Sequence, residues 1–320
     1  MRRVDKVRIL TRRVVGPNIG EMSIPPREQQ LLERIKELED EVKERQADLK
    51  RFRDELGRAN VQLETLIEQL RQELKLVHVV QKALVPTEFP HISGFDFSTK
   101  FFPSHISGGD YFDIFEHQDR FRFGIIVSSA SGHSMSALLL SVLLKMTGQI
   151  EAKRGSDPHQ VLREMHEQLK EHLSGDDQAD MFYALVDRRN YEMKYIRAGT
   201  VIALHQNFVT GEVQALDSSL GPMNAEFDSP PGCSVLALNP RDRVVLCTRG
   251  VIEARNVQGE SYGLERVTRS FLTGPKRGVH ELRNHILYEV HKFAQGTEPV
   301  RDQTLVVLEV KDKVIKLAKS

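Results

Sequence analysis

Between Arg27 and Leu84 apolar side chains return every seven residues, and this repeat restricts the chain's fold more than any other feature. Ile35, Val42, Leu49, Leu56, Leu63, Leu70 and Val77 form one series, and Leu38, Phe52, Ala59, Leu66 and Val80 form a second, three residues later. These are the a and d positions of a coiled coil. No proline falls between Pro26 and Pro86. The helix so predicted is about 85 Å long at roughly 1.5 Å per residue. Alone it would leave its apolar stripe in water, so a partner helix is expected, and a second copy of the chain is the simplest one. The charges suit a parallel homodimer, with Arg34 reaching Glu39 of the partner and Asp48 reaching Arg53. Arg45 and Glu73 interrupt the d series, which weakens the seam locally and helps to set register.

The segments on either side differ. Residues 1–26 carry Arg2, Arg3, Lys6, Arg8, Arg12 and Arg13 against Asp5 and end in Pro25-Pro26. They read as a solvated basic tail, or as a contact for an acidic partner or membrane surface. The 320 residues are 40% hydrophobic and 28% charged, with a formal net charge of zero. That balance argues against a chain-wide nucleic-acid surface. No apolar run is long enough to cross a membrane, and none follows the early arginines, so a cytoplasmic protein is expected. The two cysteines, Cys233 and Cys247, lack metal-ligand spacing and read as small core residues in a reducing compartment.

From residue 85 to 313 the pattern becomes mixed, and 314–320 form a short tail. Strands are expected at 95–102, on either side of a turn at His117–Arg120, and at 181–187, 191–197, 201–206, 233–238, 242–247 and 303–310. An apolar helix follows Gly132-His133. A second opens at Asp157-Pro158, with Val161, Leu162, Met165, Leu169 and Leu173 on one face. His159, His166 and His172 read as exposed positions of that helix. A third helix covers 279–293. Helices segregated between runs of strands point to an α+β fold with antiparallel sheets layered by helices.

Four strand ends combine small residues with charge: "SGGDYFD" at 107–113, "VSSASGHSMSAL" at 127–138, "CTRGVIEARN" at 247–256 and "VRDQTLVV" at 300–307. Taken with "VVQKALVP", "YIRAGTVIAL", "SLGP" and "YGLERV", they resemble the SpoIIE/RsbU-type branch of the PPM protein serine/threonine phosphatases. The resemblance runs from about residue 76 to 311. It implies an antiparallel β-sandwich flanked by helices and preceded by a helical linker. It also implies hydrolysis of phosphoserine or phosphothreonine by a water held between two Mn²⁺ or Mg²⁺ ions, which need several carboxylates to offset their charge. The phosphoprotein substrates it implies are anti-sigma-factor antagonists.

The same resemblance exposes departures. Asp110 matches the first metal-binding aspartate of the family. The other three positions hold Ser129, Arg249 and Arg301, with Asp302 beside the last. Thr200 stands where an Ala-Gly-His turn is usual. Asp113, Gly132, His133, Gly250 and Asp302 fall at supporting positions, with His133 in a scaffold role. Ser129 and Ser131 show no Asp-His arrangement for nucleophilic chemistry. Asp110, Arg249 and Arg301 together carry about +1 where four aspartates would carry about −4, so Asp110 is at most a weak metal ligand and no cofactor is expected.

Three readings of the arginines remain open at this stage: a salt bridge onto Asp110, a cationic pocket for a phosphorylated partner or other anion, or exposed residues with no role. The leading functional expectation is a degenerate phosphatase domain that binds or regulates. An active phosphatase rebuilt on Asp110, Asp113 and Asp302 with Mn or Mg, and a coiled-coil scaffold, are the alternatives.

Overall fold

The structure is a computed structural model that describes residues 26–84, 86, 88–104, 109–131, 140–146, 156–173, 175–217, 220–228 and 232–312. The basic tail, Gly132, His133 and the C-terminal tail lie outside the described residues, as do the side chains of Leu70, Glu73, Val77 and Val80. Among the described residues no helix is long and apolar enough to cross a membrane.

Helix α1 runs unbroken over Pro26–Leu84. Its a and d side chains from Ile35 to Leu66 stand in water, from 44% exposed at Leu38 to 67% at Leu49, Phe52 and Leu56. Within the single helix Arg34 pairs with Glu37 at 2.8 Å and Arg45 with Glu41 at 2.7 Å. Such exposed pairs three or four residues apart support a helix by a few tenths of a kcal/mol. Residues 26–70 form one compact unit, and the sheets and remaining helices belong to a second.

Among the described residues of that second unit, ten strands form two antiparallel sheets. One has the order β1-β10-β9-β6-β7, from β1 (Phe95–Phe102), β10 (Gln303–Val310), β9 (Arg243–Cys247), β6 (Ile202–Gln206) and β7 (Val213–Ala215). The other has the order β2-β3-β4-β5-β8, from β2 (Asp110–Glu116), β3 (Arg122–Ser131), β4 (Gln178–Asp187), β5 (Glu192–Ala198) and β8 (Ser234–Ala237). Alternation in the strands sorts side chains to two faces. Phe112, Ile114, Phe123, Ile125, Phe182 and Ala184 of the second sheet meet Val244, Leu246, Val306 and Leu308 of the first in a core between the sheets. Burial of each larger side chain stabilises by about 1.5–3 kcal/mol.

Each outer face is covered by helices. The second sheet packs with α2 (140–146) and α3 (Pro158–Leu169) through Leu140, Leu144, Val161, Leu162 and Met165. Asp157 caps α3 and Pro158 occupies its first turn. The first sheet packs with α4 (Arg249–Ile252), α5 (Gly263–Thr273) and α6 (Val279–Ala294) through Val251, Val267, Phe271, Leu282 and Ile286. This is the expected α+β sandwich flanked by helices.

Three local readings change. Strand β7 is three residues of an edge, too short to show alternation. Helix α5 was not among the expected elements, although Leu264, Val267 and Phe271 recur at helical spacing and Val267, Ser270 and Phe271 are buried on one face. His166 is buried, not exposed: its Nε2 lies 2.9 Å from the Asn224 carbonyl and its ring meets Phe227 edge-on at 5.2 Å. His159 is half-buried, and His172 is exposed as expected.

Candidate functional site

Strand register brings the chemistry to one end of the inter-sheet face. Asp110 of β2 lies opposite Ser129 of β3, and Ser129 lies opposite Asp180 of β4. These three share the face that carries Phe112, Val127 and Phe182 into the core. The other sheet supplies Thr248 after β9, and Thr304 and Asp302 at the start of β10.

Asp110 is buried and fully engaged. Its Oδ2 accepts from the Thr248 hydroxyl at 2.6 Å and the Thr304 hydroxyl at 2.8 Å. Burial, and then repulsion from Asp302, push its carboxyl up to about 8, against hydrogen bonds from Ser129, Thr248 and Thr304. Asp302 is equally buried but differently held. Its Oδ1 accepts from the Ser104 N–H at 2.7 Å, and its Oδ2 from the N–H groups of Gly109 and Asp110 at 3.0 and 3.3 Å. Gly250 permits this approach, because a Cβ there would lie 2.0 Å from the Asp302 carbonyl oxygen.

Arg249 and Arg301 do not converge on Asp110. Arg249 begins α4, and its Nε donates to Glu253 Oε1 at 2.5 Å, one helical turn on. Arg301 donates from Nε to Glu253 Oε2 at 2.9 Å. One carboxylate therefore holds both guanidinium groups, each about one-third exposed. Alternation explains the miss: it carries Thr304 and Asp302 inward to Asp110 and turns Arg301 away.

Asp113 does not join the group either. Three residues beyond Asp110 in β2, it lies on the opposite face with Tyr111 and Phe115, where it accepts from the Tyr111 hydroxyl at 3.3 Å. Sequence reasoning passed over Glu253, Thr248, Thr304 and Asp180. Asp180 is buried, accepts from the Thr200 hydroxyl at 2.6 Å, and leaves Oδ1 without a partner among the described residues. Its carboxyl is raised by burial, and Thr200, Arg249 and Arg301 act in the opposite sense. A Cβ on Gly199, whose φ is +77°, would fall 1.8 Å from Asp180 Oδ1, so this turn needs a glycine.

The family model for stage II sporulation protein E matches residues 119–311, more than half of the chain. The chain belongs to the SpoIIE family. Phosphoserine phosphatase RsbP of Bacillus subtilis (strain 168) is 25% identical to it over 214 residues, which are 65% of this chain and 50% of that protein. The SpoIIE-family chain thus spans half the length of this curated relative. The PP2C domain of SiaA from Pseudomonas aeruginosa superposes with a TM-score of 0.64 at 20% identity, covering 77% of this chain and 98% of that one. The PP2C phosphatase domain of SpoIIE from B. subtilis, with a fragment of its regulatory domain, gives a TM-score of 0.56 at 15% identity over 68% and 63% of the two chains. The fold is therefore that of the PP2C phosphatases.

In this SpoIIE-family chain the residues do not fit a pair of hard divalent ions. Such ions take several oxygen ligands, chiefly carboxylates. Here Asp110 Oδ2 faces two hydroxyl donors, Asp302 faces three backbone N–H groups, and Arg249 and Arg301 share the carboxylate of Glu253. Among the described residues no group of three or more His, Cys, Asp or Glu side chains could hold a metal ion.

Proposed function

We propose that this chain is a catalytically degenerate phosphatase domain that works by binding, as a regulatory module in bacterial phosphorylation signalling. The observation that carries the reading is the bridge from Glu253 to Arg249 and Arg301 at two positions where the family's reaction needs carboxylates. Two guanidinium groups and the one carboxylate they share leave about +1 where a divalent ion needs negative charge, and arginine cannot shed its proton to change this. The relationship to RsbP, a phosphoserine phosphatase, supports a regulatory phosphoprotein as partner. The family resemblance suggests one of the anti-sigma-antagonist kind. The exposed a and d side chains of α1 support a homodimer through a parallel coiled coil, with 1–26 as a tail, 27–84 as the coiled coil and 85–313 as the phosphatase-like domain.

The test is an assay of the purified chain with Mn²⁺ and a phosphoserine substrate, together with a thermal shift on adding Mn²⁺. The expected result is no turnover above background and no metal-dependent stabilisation. Turnover that disappears in Asp110→Ala would overturn the reading and favour a rebuilt or reduced metal site.

A further inference from the structure

A second feature lies on the outer side of the first sheet, between α5 and α6. A groove of about 320 Å³ is lined from α5 by Arg266, Arg269 and Ser270 with the preceding Tyr262, and from α6 by Glu289, Lys292 and Phe293. None of these residues belongs to the Asp110 site. On α5 the groove residues recur at one face, four and seven residues after Tyr262, and on α6 they stand three and four apart. Two helices therefore present matched polar stripes to one depression.

The charges in it are unbalanced. Three cations face one carboxylate, a local charge of +2 on a chain whose formal net charge is zero. Elsewhere in the domain arginines are neutralised: Arg189 by Asp187, Arg197 by Asp217, Arg241 by Asp312, Arg243 by Glu309. In the groove, the Arg269 guanidinium makes no ion pair or hydrogen bond among the described residues. Among the described residues the Lys292 ammonium has only the Tyr288 ring, 5.8 Å away. Arg266 is held in place, with Nη1 donating to the Ser261 and Tyr262 carbonyls at 3.0 Å and its plane 4.6 Å from the Phe293 ring. Those acceptors are neutral, so its charge stays uncompensated.

The floor adds a donor. The Tyr262 and Ser270 hydroxyls are 2.6 Å apart and both side chains are more than nine-tenths buried. Two hydroxyls carry two hydrogens, and one lies between the oxygens. The other has no acceptor among the described residues. A ligand oxygen in the groove can accept from it. Glu289, Arg266 and Arg269 line the groove beside this pair.

We propose that this groove binds a dianionic phosphoryl group. A phosphomonoester carries about −1.5 to −2 charges near neutral pH and three acceptor oxygens. It matches the local charge and the set of donors, whereas a single carboxylate leaves one cation unpaired. The size is at the lower end of about 300–1,000 Å³ for small-ligand sites. The same chemistry is offered by free phosphate and by a phosphorylated side chain.

The test is titration of the full chain at fixed ionic strength, by calorimetry or ³¹P NMR, with inorganic phosphate and O-phospho-L-serine in separate arms and succinate as a third. Saturable binding of a phosphoryl compound is expected. Arg269→Ala with Lys292→Ala should weaken it about tenfold or more, since two charge-assisted contacts are lost. Both side chains are exposed, so the variant folds. Glu289→Gln should tighten binding by removing a like charge. Equal affinity for both phosphates would assign the site to free phosphate, and preference for phosphoserine to a modified side chain, and either supports the proposal. Absence of saturation, equal binding of succinate, insensitivity to Arg269→Ala/Lys292→Ala, or loss in Arg249→Ala would each overturn it.

Discussion

Arg301 donates from Nε to Glu253 at 2.9 Å, across 48 residues of chain, and Arg249 shares the same carboxylate from one turn away. The bridge joins the strand end before β10 to the helix after β9. Glu253→Gln removes the charge both guanidinium groups face. The expected cost is about 1–2 kcal/mol for two partly exposed pairs, read by urea unfolding. An unchanged midpoint would show the bridge to be energetically idle.

Thr248 and Thr304 direct their hydroxyls at one oxygen of buried Asp110. Thr248→Val keeps the shape and removes a donor, and it also leaves the Thr304 N–H, 3.0 Å from that hydroxyl, without its acceptor. A loss of about 1–3 kcal/mol is expected. Equilibrium denaturation of the single variant and of Thr248→Val/Thr304→Val would show whether the two losses add.

Two glycines should respond with opposite signs. Gly250→Ala puts a Cβ 2.0 Å from the Asp302 carbonyl oxygen, which is backbone and cannot swing aside. Destabilisation beyond about 2 kcal/mol is expected. Gly57 lies inside α1 with nothing within 4 Å of an added Cβ. Gly57→Ala should stabilise the helix by about 0.8–1 kcal/mol, visible as a higher melting temperature by circular dichroism.

Acid should act through Asp242. Burial raises its carboxyl, but a hydrogen bond with His205 and the N–H groups of Phe208 and Asn239 outweigh that and hold it below the ordinary range. A depressed carboxylate contributes stability that is present above its unfolded value of about 3.9 and is lost as pH falls through the folded value. The melting temperature should therefore fall more steeply below about pH 4 in the parent than in Asp242→Asn, which has no proton to take up. Parallel curves would refute the assignment.

Leu49 and Leu56 lie at successive a positions and are each 67% exposed on the single chain. Leu49→Asp/Leu56→Asp should halve the mass measured by sedimentation, because each buried leucine contributes about 1.5–3 kcal/mol to pairing. A parent that sediments as a monomer would remove the coiled-coil reading of α1.

Much of the fold was legible in the sequence. Residue spacing is a local property, and helical and strand periods declare themselves over a few turns or a few residues. The heptads of α1, the apolar face of α3 and the turn between β2 and β3 all followed from the residue pattern. Sheet order was not visible in this way, because strands far apart in sequence pair only in the packed fold.

The site divides along the same line. Asp110, Ser129, Arg249, Arg301 and Asp302 were found by motif, and their charge alone argued against a pair of metals. Glu253 carried one local signal, its position four residues after Arg249, the spacing of a helical ion pair. That Arg301 would choose the same acid, that Thr248 and Thr304 would face Asp110, and that Asp113 would turn to the other face depended on strand parity and on which strands lie opposite. Charges can be counted along a chain, but partners are chosen in space: an ion pair falls off with distance, and only the packed sheets set the distances.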